Sequence, residues 1–213
     1  MSRSTVLVTG ATGFIGKQWC RHALDRGDRL IVAPTRAIES SARIDAIVNF
    51  DTSPTSRVDT TTAVVDLIAR LTHKPAVLVC LASIDYYGAR VDREITEADR
   101  GQPTSASQLC QIWELAAQRA QQYGVRECRL RAGLVLATTQ HRASLPWIHI
   151  ADLLRMVDRA LADVAWSGAF NATSPQSVNV VPLKARCAGF EFEYPVQSRT
   201  NRNTTATPAI LVP

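Results

Sequence analysis

Along the first two thirds of the chain, short β-branched runs alternate with longer stretches of helical periodicity. Thr5 to Thr9 (T-V-L-V-T) is a compact β-branched run that stops at Gly10, the pattern of a buried parallel strand. Phe14 to Arg26 follows with helical spacing, which puts Ile15, Trp19, Ala23 and Leu24 on one side, and Gly27 closes it. Arg29 to Thr35 predicts a second strand, weakened late by Pro34, and Asp45 to Phe50 predicts a third. The interval between those two is shorter than the roughly dozen residues of a crossover helix. Val58 to Leu71 predicts a helix, Ala76 to Leu81 a fourth strand, and Ser105 to Tyr123 a long amphipathic helix ended by Gly124. Val125 to Leu130 predicts a fifth strand. After Leu136 the pattern thins to a helix over Ile150 to Ala162 and a short strand over Ala169 to Ala172. Gln197 to Pro213 is polar, rich in Thr and Asn, and reads as a tail. Strands that alternate with helices imply a parallel sheet with right-handed crossovers, so the fold class is α/β.

The segment between the first strand and the first helix carries the most chemistry. V-L-V-T-G-A-T-G-F-I-G places three glycines in the spacing G-x-x-G-x-x-G. Gly10 permits a tight turn, Gly13 lets the backbone approach a pyrophosphate, and Gly16 lets the helix pack close to the strand. The helix start then offers free N–H groups and a partial positive charge to phosphates. This is the turn of a Rossmann-type doubly wound parallel sheet. Gly10, Thr12, Gly13, Phe14, Ile15 and Gly16 are the expected contacts to a dinucleotide cofactor. An acidic residue at the end of the second strand would bind the ribose 2′-hydroxyl of NAD. Thr35 and Arg36 stand there, and an arginine suits a 2′-phosphate, which favours NADP over NAD. The plainer reading of Arg36 is a solvated loop residue.

Composition narrows the partners. The chain has 213 residues, 46% apolar and 20% charged, ordinary for a globular protein with a sizeable core. Its formal charge of +5 comes from 24 Lys and Arg against 19 Asp and Glu. The cations are almost all Arg and are scattered, without the basic run that tracks a nucleic acid or an anionic membrane. No nucleic-acid partner is expected, and no apolar run approaches a membrane span. Five cysteines, odd in number and without a C-x-x-C pair, fit neither a disulfide framework nor a zinc site. No metal ligand cluster is evident. The first apolar run is too short for a signal peptide, so a reducing compartment is expected, the cytoplasm or the mitochondrial matrix, and not secretion.

Several motifs run in order through the chain. They are V-T-G-A-T-G-F-I-G (Val8 to Gly16), D-A-I-V-N (Asp45 to Asn49), S-R-V-x-T-T (Ser56 to Thr61), Y-Y-G (Tyr86 to Gly88) and L-C-x-x-W-E (Leu109 to Glu114). L-R-x-G-L-V-L (Leu130 to Leu136), W-I-H-I-x-D-L (Trp147 to Leu153), N-A-T-S-P (Asn171 to Pro175) and A-G-F-E-F-x-Y-P (Ala188 to Pro195) continue the series. Together they resemble the extended short-chain dehydrogenase/reductases, and more narrowly the SDR39U1/YfcH-type nucleoside-diphosphate-sugar epimerase-like family. The resemblance implies a dinucleotide-binding Rossmann domain over residues 1–136 and a reduced C-terminal substrate lobe over 137–196, followed by the tail over 197–213. It implies NAD(P)-dependent epimerase or oxidoreductase chemistry on a small substrate.

The departures from that family fall on its loops and its substrate-binding part. Where it usually carries N-L-A-G, this chain has Asn49-Phe50-Asp51-Thr52, which would set an acidic side chain near the cofactor. The stretch before S-R-V, the glycine-rich stretch before W-I-H, and most of the sequence between N-A-T-S-P and A-G-F-E-F are missing. Superfamily catalysis uses a Ser, a Tyr and a Lys four residues after that Tyr, whose charge lowers the phenol pKa for proton shuttling. The Tyr and Lys positions match Ala106 and Cys110 here, an absence the resembling family shares. The Ser position matches Ala82, with Ser83 one residue on and turned to the opposite face of the strand. Ser83 and Tyr87 are the candidate catalytic groups, with Tyr86 read as packing. Cys110 and Trp113 read as packing of their helix on the sheet, and His149 reads as a helix-entry residue before a catalytic one. Three functions remain: an NADP-dependent epimerase or oxidoreductase, a catalytically inactive subunit with a structural or regulatory role in a larger assembly, and an interaction module that binds no nucleotide.

Overall fold

The computed structural model describes residues 4–53, 55–88, 93–137 and 145–194. Its first strand, β1 (Thr5–Thr9), coincides with the sequence reading. All its central residues are buried because helices cover both faces of the sheet. The first helix, α1 (Phe14–Asp25), buries Ile15, Gly16, Trp19 and Ala23. Leu24, expected on that face, is exposed. The helix ends where Gly27 turns to φ +94° and donates to the Leu24 carbonyl at 2.9 Å, the left-handed termination that glycine permits.

The second strand, β2 (Arg29–Ile31), is shorter than expected. The chain leaves the ladder before Pro34, which has no N–H to donate, and enters a 3₁₀ turn at Thr35–Ala37. The return to β3 (Ala46–Asn49) uses no helix. Buried Ile38 and Ile44 cover that face of the sheet instead. Then come α2 (Arg57–Arg70), β4 (Val77–Ser83), α3 (Ser105–Gln118) and β5 (Arg126–Ala132). The predicted long helix ends early because its last turn tightens to 3₁₀ over Arg119–Tyr123, before Gly124 at φ +75°.

Two three-residue strands, β6 (Leu134–Leu136) and β7 (Trp147–His149), pair in parallel as a separate ribbon. Helix α4 (Ile150–Ala162), strand β8 (Gly168–Ala172) and the short α5 (Leu183–Cys187) complete the described chain. Six parallel strands lie in the order β2-β1-β3-β4-β5-β8. The segment read as a reduced lobe therefore gives the sheet its last strand, with β8 paired to β5 from Cys128 with Gly168 to Ala132 with Ala172. The predicted tail lies outside the described residues.

Strand alternation sorts the interior into two layers. Val6, Val8, Val48, Val79, Leu81 and Leu130 face α1 and α4. Leu7, Ile47, Leu78 and Cys80 face α2 and α3. Among the described residues no helix is long and apolar enough to cross a membrane.

Candidate functional site

In a parallel sheet the strand ends and the turns that follow them form the ligand crevice. Here the ends of β1 and β2 and the first turns of α2 enclose a cleft of about 590 Å³. Val8 to Thr12 form its floor, Val32 to Arg36 one wall, and Asp59, Thr60 and Ala63 the other. Gly10, Thr12, Thr35 and Arg36 thus line one cleft. Gly13, Phe14, Ile15 and Gly16 follow at the start of α1. The Ile15 side chain belongs to the core, so only its backbone is available to a ligand.

The glycines do different work. Gly10 has φ +68°, and a Cβ on it would lie 2.5 Å from the Phe50 carbonyl carbon and 2.7 Å from the Asp51 nitrogen. A Cβ on Gly16 would run into the Gly10 carbonyl and sit 3.0 Å from Ala11 Cα. Both are fixed by close packing of backbone on backbone. Gly13 is exposed, has φ −68° and ψ 168°, and would set a Cβ only in ordinary contact, 3.4 Å from the Gly10 oxygen. Neither a capping side chain nor an acidic residue occupies the start of α1, where the first N–H groups lack helical acceptors.

Behind the cleft, Asn49 ties three elements together. Its Oδ1 accepts from the Thr9 hydroxyl at 2.7 Å and the Asp51 N–H at 3.0 Å, and its Nδ2 donates to Thr61 Oγ1 at 3.0 Å. Trp113 Nε1 donates to the same hydroxyl at 2.9 Å. Asp51, expected near the phosphates, turns instead toward α2. Its carboxylate accepts from the Ser53 N–H at 2.9 Å, the Ser56 hydroxyl at 3.0 Å and the Thr60 hydroxyl at 2.6 Å. It does not line the cleft. Arg57 is buried with its guanidinium carbon 3.5 Å above the Trp113 ring, and donates to the Thr52 carbonyl at 2.6 Å. Burial pulls its pKa down to about 10.

The two candidate catalytic residues are not in this cleft. Ser83 is the last residue of β4 and is buried. Its hydroxyl donates to Asp85 at 2.9 Å and accepts from the Asp85 N–H at 3.1 Å, which caps the 3₁₀ turn Ile84–Tyr87. Tyr87 is buried, donates to Asn171 Oδ1 at 2.7 Å and accepts from Arg131 Nη1 at 2.9 Å. Burial pushes this phenol up to about 12, against the opposing pull of Arg131. Cys110, at the lysine position of superfamily catalysis, is buried with its thiol pushed up to about 11 by desolvation. Its packing reading and that of Trp113 agree with their burial in α3.

A second hollow, of about 440 Å³, lies over β5 and β8 between Tyr86, Glu97, Arg131 and Lys184. Its cations are already committed. Arg129 pairs with Glu114 at 2.7 Å and Glu127 at 2.8 Å, and Arg131 with Glu114 at 2.7 Å, while its guanidinium also lies 3.4 Å from the Tyr86 ring centre. His149 enters α4 with Nδ1 accepting from the Ala151 N–H at 3.2 Å and its ring stacked on Tyr194 at 4.1 Å. Asp152 accepts the Glu193 and Tyr194 N–H groups, both at 2.9 Å, which makes W-I-H-I-x-D the anchor for the segment after α5. Among the described residues no group of three His, Cys, Asp or Glu side chains could hold a metal ion.

Asp59, Thr60 and Ala63 were not anticipated as cleft residues. The signal available was positional: the first turns after a strand of a doubly wound sheet stand at its ligand-binding edge.

The sheet order, the glycine turn and the cleft at the ends of β1 and β2 together define a Rossmann-type doubly wound α/β fold. Residues 6–96 match the model of the NAD dependent epimerase/dehydratase family. The chain is 26% identical over 239 residues to the chloroplastic epimerase family protein SDR39U1 homolog of Arabidopsis thaliana, covering 84% of this chain and 68% of the plant protein. Its fold superposes on a nucleoside-diphosphate sugar epimerase from Corynebacterium glutamicum with TM-score 0.80 and 21% identity, over 91% of this chain but only 56% of that one. It superposes on human epimerase family protein SDR39U1 (isoform2), crystallised with NADPH, with TM-score 0.76 and 20% identity, over 90% of this chain and 95% of that one. The chain is thus similar to the NAD(P)-dependent epimerase type of extended short-chain dehydrogenase/reductase, the resemblance its motifs carry.

Proposed function

We propose that this chain binds NADP(H) in the cleft beside Gly10 to Gly16, with Arg36 meeting the 2′-phosphate, and acts as an epimerase- or oxidoreductase-like protein toward a small substrate. The observation that carries this reading is the open cleft between the glycine turn and Arg36. Gly13, next after the cleft-lining Thr12, is exposed, and Asp51, held by Ser53, Ser56 and Thr60, does not line the cleft. The human relative crystallised with NADPH supports it, since the likeness covers nearly all of that shorter chain. Bound NADP(H) would supply the hydride chemistry, and the chain's own part is to bind and orient it.

A second reading, a cofactor-binding subunit without chemistry, is favoured by one specific observation. The hydroxyls of Ser83 and Tyr87 are engaged inside the fold, and Cys110 stands where the family's superfamily relatives place a lysine. The test of cofactor binding is a titration with NADPH and separately with NADH, followed by energy transfer from Trp to the nicotinamide. NADPH should bind at micromolar concentration. Arg36→Ala should weaken NADPH by about tenfold or more and leave NADH nearly unchanged, because a charge-assisted bond to phosphate is lost. Binding of neither dinucleotide would overturn the proposal and leave a Rossmann scaffold kept for its shape.

A further inference from the structure

We propose that Asp59 reads the adenine base of the cofactor by accepting a hydrogen bond from its exocyclic amino group. This rests on the cofactor reading above and extends it from the phosphates to the base. In the usual dinucleotide-binding order another strand lies outside the second one. In this chain β2 is the edge strand, and the path from β2 to β3 is a 3₁₀ turn and irregular chain. The wall that faces Val32 to Arg36 is therefore the beginning of α2, where Asp59 projects from the first turn.

The chemistry of the two walls assigns the parts of the ligand. Val32, Ala33, Pro34 and Ala63 present apolar surface suited to the flat faces of a purine. The glycine turn takes the phosphates, and Arg36 marks the ribose end at the close of β2. Thr60, next to Asp59, has its hydroxyl committed to Asp51 at 2.6 Å, and Thr9 on the floor donates to Asn49 at 2.7 Å. The Asp59 carboxylate is exposed and makes no hydrogen bond or ion pair with the described residues. An ionised carboxylate only accepts, so it suits a ligand donor. A 2′-phosphate offers no donor and is repelled by it. The ribose 3′-hydroxyl stays beside the 2′-phosphate at Arg36, so the donor left for the α2 wall is the amino group of the base.

A bland role is available: an acidic residue in the first turn of α2 favours the helix dipole. The experiment therefore reads base preference as well as stability. NADPH and its hypoxanthine analogue, in which the amino group is replaced by a carbonyl oxygen, are titrated into the wild type, Asp59→Ala and Asp59→Asn. The wild type should prefer the adenine dinucleotide by about tenfold. Asp59→Ala should bring the ratio close to one, and so should Asp59→Asn, whose amide both donates and accepts. Thermal unfolding confirms that the variants remain folded. An unchanged ratio in Asp59→Ala overturns the proposal, as does tighter NADPH binding by that variant, which would show the carboxylate opposing the 2′-phosphate. A wild type that binds neither nucleotide overturns the cofactor reading itself, a result that ratios measured on binding proteins cannot mimic.

Discussion

Gly16 and Gly13 lie three residues apart in one turn, yet alanine should act on them in opposite ways. At Gly16 the new methyl would collide with the Gly10 carbonyl and lie 2.9 Å from Gly10 C and 3.0 Å from Ala11 Cα. All three are backbone atoms, so no side chain can swing aside. Overpacking costs roughly 1–3 kcal/mol, and a purely backbone collision belongs at the upper end. For a chain of this size about 3 kcal/mol lowers Tm by roughly 6–12 °C. At Gly13 the backbone is extended, φ −68° and ψ 168°, and the methyl meets only an ordinary contact. Alanine gains about 0.4–1 kcal/mol from a less flexible unfolded chain. It loses a comparable amount because glycine is the better N-cap. Tm should therefore move by no more than about 2 °C.

The methyl of Gly13→Ala would nonetheless stand on the exposed side of the turn, where a pyrophosphate must touch backbone. NADPH affinity should fall by about a hundredfold, roughly 2.7 kcal/mol. Thermal unfolding and NADPH titration on both variants make the assay. If Gly13→Ala binds like the wild type, the phosphates do not approach this backbone. If it melts as low as Gly16→Ala, the steric argument is wrong.

Two further outcomes follow from the interior. Glu114 is 3% exposed and accepts from Arg129 and Arg131. Glu114→Gln leaves buried guanidinium charge uncompensated and should cost about 3–5 kcal/mol in urea unfolding; a loss below about 1 kcal/mol would count against the network as a folding element. Burial pushes Cys110 up to about 11 and Cys128 to about 12 from 9.0, and Tyr87 to about 12 from 10.0. These groups keep their protons in the folded chain after the unfolded chain has released them. Their contribution is full below pH 9.0 and is lost as pH rises through about 11 to 12. The urea midpoint should fall between about pH 8 and about pH 10.5, less so in Cys110→Ala, and a flat profile would contradict the assignment.

The central elements were legible where one constraint acted alone. β1 is β-branched or apolar at every position, its three central residues buried because both faces are covered, so its limits were readable from composition. Gly27 and Gly124 were readable as stops because only a positive φ fits there. β2 was overextended because β-branched residues continue past the point where the ladder ends near Pro34. β6 and β7 were missed because three residues carry too little periodicity. The phosphate side of the site was readable because glycine spacing sets backbone geometry directly. The α2 wall was not, since which side chain of a helix faces the cleft depends on how α2 packs on the sheet. Asp51 was misplaced for a local reason: serines and threonines just beyond it in sequence satisfy its carboxylate within the loop and α2.

The three glycines do not testify equally to cofactor binding. Gly10 and Gly16 are demanded by the fold, because their missing side chains let β1, α1 and the Phe50–Asp51 segment close on one another. A chain that had lost its cofactor would still need both. Ser83 and Tyr87 are likewise occupied, one capping a turn and the other joining Asn171 to Arg131, so their presence does not argue for catalysis. Gly13, Arg36 and Asp59 form a different class. All three are exposed at the cleft or its rim, and Gly13 could be alanine at little cost to the backbone. The case for a dinucleotide therefore rests on the groups whose folding duty is small, and substitutions there separate a binding protein from a scaffold more sharply than any change at Gly10 or Gly16.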